Sequence, residues 1–163
     1  MEINIYCENS YNKEITFSVD DVEFFAEKFL LYALNSDDIE FSQEEKTYSF
    51  EILLCDNEFI HKINKEYRNI DRPTDVITFS LFVDDNNKIS DIPEINLGQI
   101  LISIDKVYSQ AVENSVSLRR EFLNLLAHGV LHLVGIDHPT DDELLKMLDL
   151  QDKMIAEAGY VEV

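Results

Sequence analysis

At 163 residues the chain has the size of one domain spanning 1–163, and it can bury a substantial core without disulfide staples. Its 13 Lys and Arg against 33 Asp and Glu leave a net charge of −20, which argues against broad, non-specific nucleic-acid binding, because such binding rests on basic side chains neutralising phosphates. No stretch approaches the roughly 20 apolar residues that span a bilayer, and Met1-Glu2-Ile3-Asn4-Ile5 lacks the basic and apolar regions of an export signal, so the expected compartment is the cytoplasm, with no membrane partner.

Glu2 to Glu8 alternates apolar and polar residues, the period of a half-buried strand. Asn9 to Lys13 reads as a turn and Ile15 to Ser18 as a second short extended piece. Asp20 or Asp21 can cap a helix that runs to about Leu34, with Val22, Phe25, Phe29 and Tyr32 on its apolar side. Asn35 to Glu45 is polar and loop-like, and Thr47 to Cys55 is strongly strand-like. Asp56 opens a helix through Phe59, Ile60, Ile63 and Tyr67. Asn69 to Thr74 is a loop, and Asp75 to Val83, rich in Val, Ile, Thr and Phe, is a strand. Asp84 to Asn96 is polar, contains Pro93, and reads as a surface loop.

Leu97 to Ile104 is a further strand, and Asp105 begins a helix to about Ser115. Ser117 to Val134 carries Leu118, Phe122, Leu125, Leu126, Val130 and Leu133 at helical spacing, and Gly135 stops it, as a residue free to take positive φ commonly does. Thr140 with Glu143 has the capping-box pattern and starts a final helix through Leu144, Leu145, Leu148, Met154 and Ile155, ending at Gly159. Strands come early, helices late, and the two alternate between. That order predicts a small mixed α/β or α+β fold with helices packed on a short sheet. Cys7 and Cys55 fall in strand-like segments without C-x-x-C spacing and are expected as buried, reduced thiols.

The chemistry concentrates in His128-Gly129-Val130-Leu131-His132-Leu133-Val134-Gly135-Ile136-Asp137-His138. His128 and His132 are four apart on a predicted helix, so both rings project from one face, one turn apart. Gly135 lets the chain leave the helix and return His138 to the same point. Three neutral imidazoles suit one Zn²⁺ or a similar borderline cation, with water in the fourth position. An open metal site of this kind lowers the pKa of bound water from about 16 to about 7, which makes hydrolysis at neutral pH the natural reaction class. Asp137, beside His138, is either a partner that orients a ligand imidazole or acts on the water, or a plain turn aspartate. His61, in a helix among polar residues, reads as solvated.

The spacing H-x3-H-x2-G-x2-H is similar to that of the metzincin metalloproteases, which place a general-base Glu directly after the first His. Gly129 stands there in this chain, so a protease of that kind would lack its base. The histidine block resembles much more closely the H-G-x-L-H-L-x-G-Y-D-H signature of the YbeY family of endoribonucleases, departing only in Ile136 for Tyr. A second block of that family, N-x-x-Y-R-x-x-D-x-P-T-D-V-L-S-F, is matched by Asn64 to Phe79, including Tyr67, Arg68, Asp71, Pro73, Thr74 and Asp75. A third, G-D-I-x-I-S, appears as Gly98-Gln99-Ile100-Leu101-Ile102-Ser103, with Gln99 where the family usually has Asp.

The resemblance implies a metal-dependent endoribonuclease specific for single-stranded RNA. It would act at the 3′ end of small-subunit ribosomal RNA and in ribosome quality control, with the small ribosomal subunit and the GTPase Era as partners. It also implies a small α/β domain with a four-stranded mixed sheet, a zincin-like metal helix and a metal cleft, and Arg68 as a functional residue. The physical logic of Arg68 is independent: a scissile phosphate needs a cation to hold it and to offset charge growing in the transition state, and a guanidinium offers a forked pair of donors. Asp71 and Asp75 are expected to shape the loop rather than to bind metal. The acidity of the chain keeps a second reading open, a non-catalytic, metal-stabilised ribosome assembly factor.

Overall fold

The computed structural model describes residues 1–36, 46–81 and 94–161. In chain order its elements are β1 (Glu2–Asn9), α1 (Val19–Leu34), β2 (Thr47–Cys55), α2 (Asn57–Arg68), β3 (Val76–Ser80), β4 (Glu94–Ser103), α3 (Ile104–Glu113), α4 (Leu118–Leu133) and α5 (Asp141–Glu157). Of the loops expected over 35–45 and 84–96, residues 37–45 and 84–93 lie outside the described residues, and 94–96 belong to β4. The four strands form one mixed sheet in the order β1-β2-β4-β3, with β1, β2 and β4 parallel and β3 antiparallel to β4.

Strand alternation divides the sheet's side chains between two faces. Tyr48, Phe50, Ile52 and Leu54 of β2 and Ile95, Leu97, Ile100 and Ile102 of β4 join one large core with α1, α4 and α5. Cys55, Ile77 and Leu101 point the other way, onto Ile60 of α2. The sheet is therefore covered thickly on one side and by a single amphipathic helix on the other, a mixed α/β layering in line with the expected fold.

Several element ends differ from the sequence reading, each for a local reason. Ile15 to Ser18 is not a strand: it pairs with nothing in the sheet, Phe17 stacks on Phe122 with ring centroids 4.3 Å apart, and Ser18 is spent as a cap. That cap, not Asp20 or Asp21, starts α1: the Ser18 hydroxyl accepts from the Asp21 backbone N–H, and the Asp21 carboxylate accepts from that of Ser18. β3 stops at Ser80, whereas β4 begins three residues before Leu97, at Glu94. Gly98 marks where β3 and β4 meet closely, since a Cβ there would lie on the Phe79 carbonyl oxygen. Cys7 and Cys55 are buried and free, and burial pushes both thiols up to about 12.

Candidate metal centre

Helix α4 brings two ligands and the turn after it brings the third. Ser117 caps the helix by accepting from the Arg120 backbone N–H, and Phe122, Leu126 and Val130 lock it onto the sheet. At its far end Gly135 takes φ +95, its N–H donates to the His132 carbonyl, and the Ile136 N–H donates to that of Leu131. This pair of bonds is a Schellman closure. It reverses the chain, and Ile136 packs into the core, so the next two residues return toward the helix. The Asp137 carboxylate accepts from the His138 backbone N–H at 2.8 Å and holds that return in place.

The result is a cluster of His128, His132 and His138 in which one ligating nitrogen from each lies within 4.8 Å of the other two. Nε2 of His128 and Nε2 of His132 are 2.9 Å apart. Two lone pairs that close repel unless a proton or a cation sits between them. Tetrahedral geometry with metal–nitrogen bonds of about 2.05 Å asks for ligand nitrogens about 3.3 Å apart, so the donor set fits zinc with small movements. Burial lowers the pKa of His132 to about 4, with the other two histidines adding to the effect, and burial also lowers His128. Both rings are thus held in the neutral form that a metal requires.

The histidines open onto a cleft of about 590 Å³, walled by Thr78 and Ser80 of β3, by the turn over 135–138, and by Arg68 at the C-terminus of α2. The Ser80 hydroxyl donates to the Leu133 carbonyl at 3.1 Å and so ties the strand wall to the helix end. Arg68 is exposed, and among the described residues it makes no ion pair with a carboxylate. Asp137 lines the same cleft, so the structure places all five residues singled out in the sequence around one opening. Asp75 is there too, but both of its oxygens are engaged, one by the Val76 N–H and the other by the Gln110 amide. Asp71 does not line the cleft; it is bound to His61 of α2 at 2.8 Å, and that hydrogen bond holds its carboxyl below the usual range.

Two of the departures from the family pattern, Gln99 and Ile136, find their places. Gln99 lies on the α2 side of the sheet, in a groove with Tyr67, Phe79 and Leu101, and not in the histidine cleft. Ile136 is in the cleft wall and in the core at once. Gly129 lies against Ile100 of β4, where a Cβ would come within 2.9 Å of Cγ2. The position where a metzincin keeps its base thus has no room here for a glutamate. One residue went unnoticed in the sequence: Gln151 of α5, whose amide oxygen lies 2.7 Å from Nδ1 of His128. Its only local signal was a polar residue on the helix's otherwise apolar stripe of Met147, Met154 and Ile155.

Fold and site together define a small mixed α/β protein with an open three-histidine centre able to hold a metal. The family model for the endoribonuclease YbeY matches residues 7–159. A protein of that name from Agathobacter rectalis is 43% identical over 135 residues, covering 72% of this chain and 82% of its own length. Another, from Acetivibrio thermocellus, is 37% identical over 162 residues, covering 94% and 95% respectively. Among solved structures, the solution structure of TM1509 from Thermotoga maritima shares the fold with a TM-score of 0.59 at 24% identity, over 96% of this chain and 88% of that one. The chain belongs to the YbeY family of endoribonucleases. No described helix is long and apolar enough to cross a membrane.

Proposed function

We propose that the protein is a zinc-dependent endoribonuclease that cuts single-stranded RNA, with ribosomal RNA of the small subunit as its substrate. The observation that carries this reading is the convergence of His128, His132 and His138 in a cleft that Arg68 also lines. The three imidazoles would hold the cation, which when bound supplies a Lewis acid and an acidified water. Arg68 holds a non-bridging phosphate oxygen and offsets the charge that grows on the phosphoryl group as an oxygen nucleophile, water or the substrate's 2′-hydroxyl, bonds to phosphorus and the bond to the leaving oxygen breaks. Asp137 fixes the turn that presents His138, and in this reading its carboxylate, which lines the cleft, accepts a proton.

A net charge of −20 supports the view that a partner delivers the RNA, and the family resemblance points to the small ribosomal subunit and the GTPase Era as that partner. The same acidity favours the competing reading, an assembly factor that docks on pre-ribosomal particles without cutting. Metal analysis combined with cleavage of a single-stranded RNA separates the two. Wild-type protein should carry one zinc and cleave, and His132→Ala should lose both. Cleavage that survives removal of the metal would refute the zinc-dependent mechanism. Zinc binding without turnover, together with co-sedimentation on small subunits, would favour the assembly factor.

A further inference from the structure

We propose that Gln151 is the positioning residue of the metal centre: its amide oxygen holds the Nδ1 proton of His128 and thereby keeps the Nε2 lone pair of that ring directed at the cation site. The inference rests on the reading of the three histidines as metal ligands. Nothing in the local sequence joins the two residues, which lie 23 positions apart on different helices.

Gln151 is 4% exposed and sits on the apolar stripe of α5. Burying an amide there costs free energy that Leu or Met would not, unless both of its ends are bonded. Both are. The amide nitrogen donates to the Asn124 carbonyl at 3.5 Å, and the amide oxygen lies 2.7 Å from Nδ1 of His128. Asn124 is one turn before His128 on α4, so one side chain spans two successive turns of the ligand helix.

The chemistry of each atom then fixes the proton. A backbone carbonyl can only accept, so the amide nitrogen must face Asn124 and the oxygen must face the ring. An amide oxygen can only accept, so Nδ1 of His128 must carry hydrogen. A neutral imidazole has one N–H, which leaves Nε2 with a free lone pair. That is the atom lying 2.9 Å from Nε2 of His132. Without Gln151 the ring could place its proton on either nitrogen and turn about its own axis, and part of the population would present N–H to the cation. Loss of such a partner typically weakens metal affinity by about 10- to 100-fold.

The test uses the full chain as wild type, Gln151→Met and Gln151→Glu. Methionine fills the space without accepting, whereas glutamate still accepts from Nδ1–H. In metal-free wild type, ¹⁵N NMR of the imidazoles should show His128 protonated at Nδ1. Zinc affinity, read by competition with a chelator, should fall about 10- to 100-fold in Gln151→Met and stay within about threefold of wild type in Gln151→Glu. Circular dichroism should show unchanged helix content in both. A folded Gln151→Met with wild-type tautomer and affinity would overturn the proposal, as would a Gln151→Glu that loses as much affinity as the methionine variant. If Gln151→Met fails to fold, the wild-type tautomer and the glutamate variant decide the matter. A wild-type chain with the Nδ1–H tautomer but no zinc affinity would instead sink the metal reading itself.

Discussion

Gly129 of α4 faces Ile100 of β4 so closely that a Cβ on the glycine would stand 2.9 Å from Cγ2 of the isoleucine. Ile100 is fully buried and β-branched, so it has little room to turn aside. The contact sets how near the ligand helix lies to the sheet, because Gly129 follows His128 directly and Thr78, in the cleft wall, pairs with Ile100 across the strands.

Gly129→Ala therefore opposes two effects. Alanine gains about 1 kcal/mol of helix propensity over glycine. Overpacking a well-filled core costs about 1–3 kcal/mol. The clash involves a branched, buried neighbour, so the second effect should win and the variant should be destabilised by about 1 kcal/mol in urea unfolding. An unchanged or higher midpoint would show that the helix can lift off the sheet at no cost. Gly129→Glu, which restores the residue a metzincin has at this point, should be far worse and should gain no proteolytic activity, since its carboxylate would be driven against the sheet.

Arg68→Ala should separate metal binding from phosphate handling. Arg68 lines the cleft but is no part of the histidine cluster. Zinc content should stay at the wild-type level while RNA cleavage falls about 10²- to 10³-fold, the usual effect of removing one donor to a developing oxyanion. Arg68→Lys should recover only part of the loss, because an ammonium lacks the guanidinium's fork. If zinc left together with activity in Arg68→Ala, the residue's role would be structural.

The legible parts of this protein were the local ones. Thr47–Cys55 is read as a strand because Tyr48, Phe50, Ile52 and Leu54 recur at every second position, and the structure gives the same limits. The three histidines were legible because one helix and one glycine turn contain them all. Ile15 to Ser18 misled because Phe17 is apolar in an extended segment, and only the position of Phe122, over a hundred residues on, shows it to be a plug and not a strand. Strand order was silent for the same reason. Gln151 was hidden because a glutamine on an amphipathic helix ordinarily faces water, and its burial depends on how α5 lies across α4.

The two cysteines make alkaline stability a test of the core. Both thiols have folded pKa values of about 12 against 9.0 for the free side chain, chiefly because burial disfavours the thiolate. With the folded value raised, the thiols' contribution is intact below about pH 9 and is lost as pH climbs from there toward 12, since the unfolded chain releases its protons first. Urea midpoints should fall between pH 8 and pH 11, and a thiol reagent should modify the native protein no faster than it unfolds. Tyr11, also raised to about 12, pushes the same way. The thiols' own share is therefore the part of the slope that disappears in the double variant Cys7→Ala and Cys55→Ala. A slope unchanged in that variant would show that the thiols contribute none of it.

Gly135 offers a way to disturb the third ligand without touching the other two. Its φ of +95 is available to glycine at little cost, and no atom lies within 4 Å of where a Cβ would be. Alanine would meet only backbone strain, on the order of 1–2 kcal/mol. The turn can relieve that strain by opening the bonds from Gly135 and Ile136 back to His132 and Leu131, and opening them carries His138 away from its partners. Gly135→Ala should thus weaken zinc binding more than it lowers thermal stability, because α4 and the core keep every other contact. Gly135→Asn should do less harm on both counts, asparagine being the side chain that best tolerates positive φ. Equal, small losses of stability with full zinc affinity in both variants would mean that His138 reaches the cation by some route other than this turn.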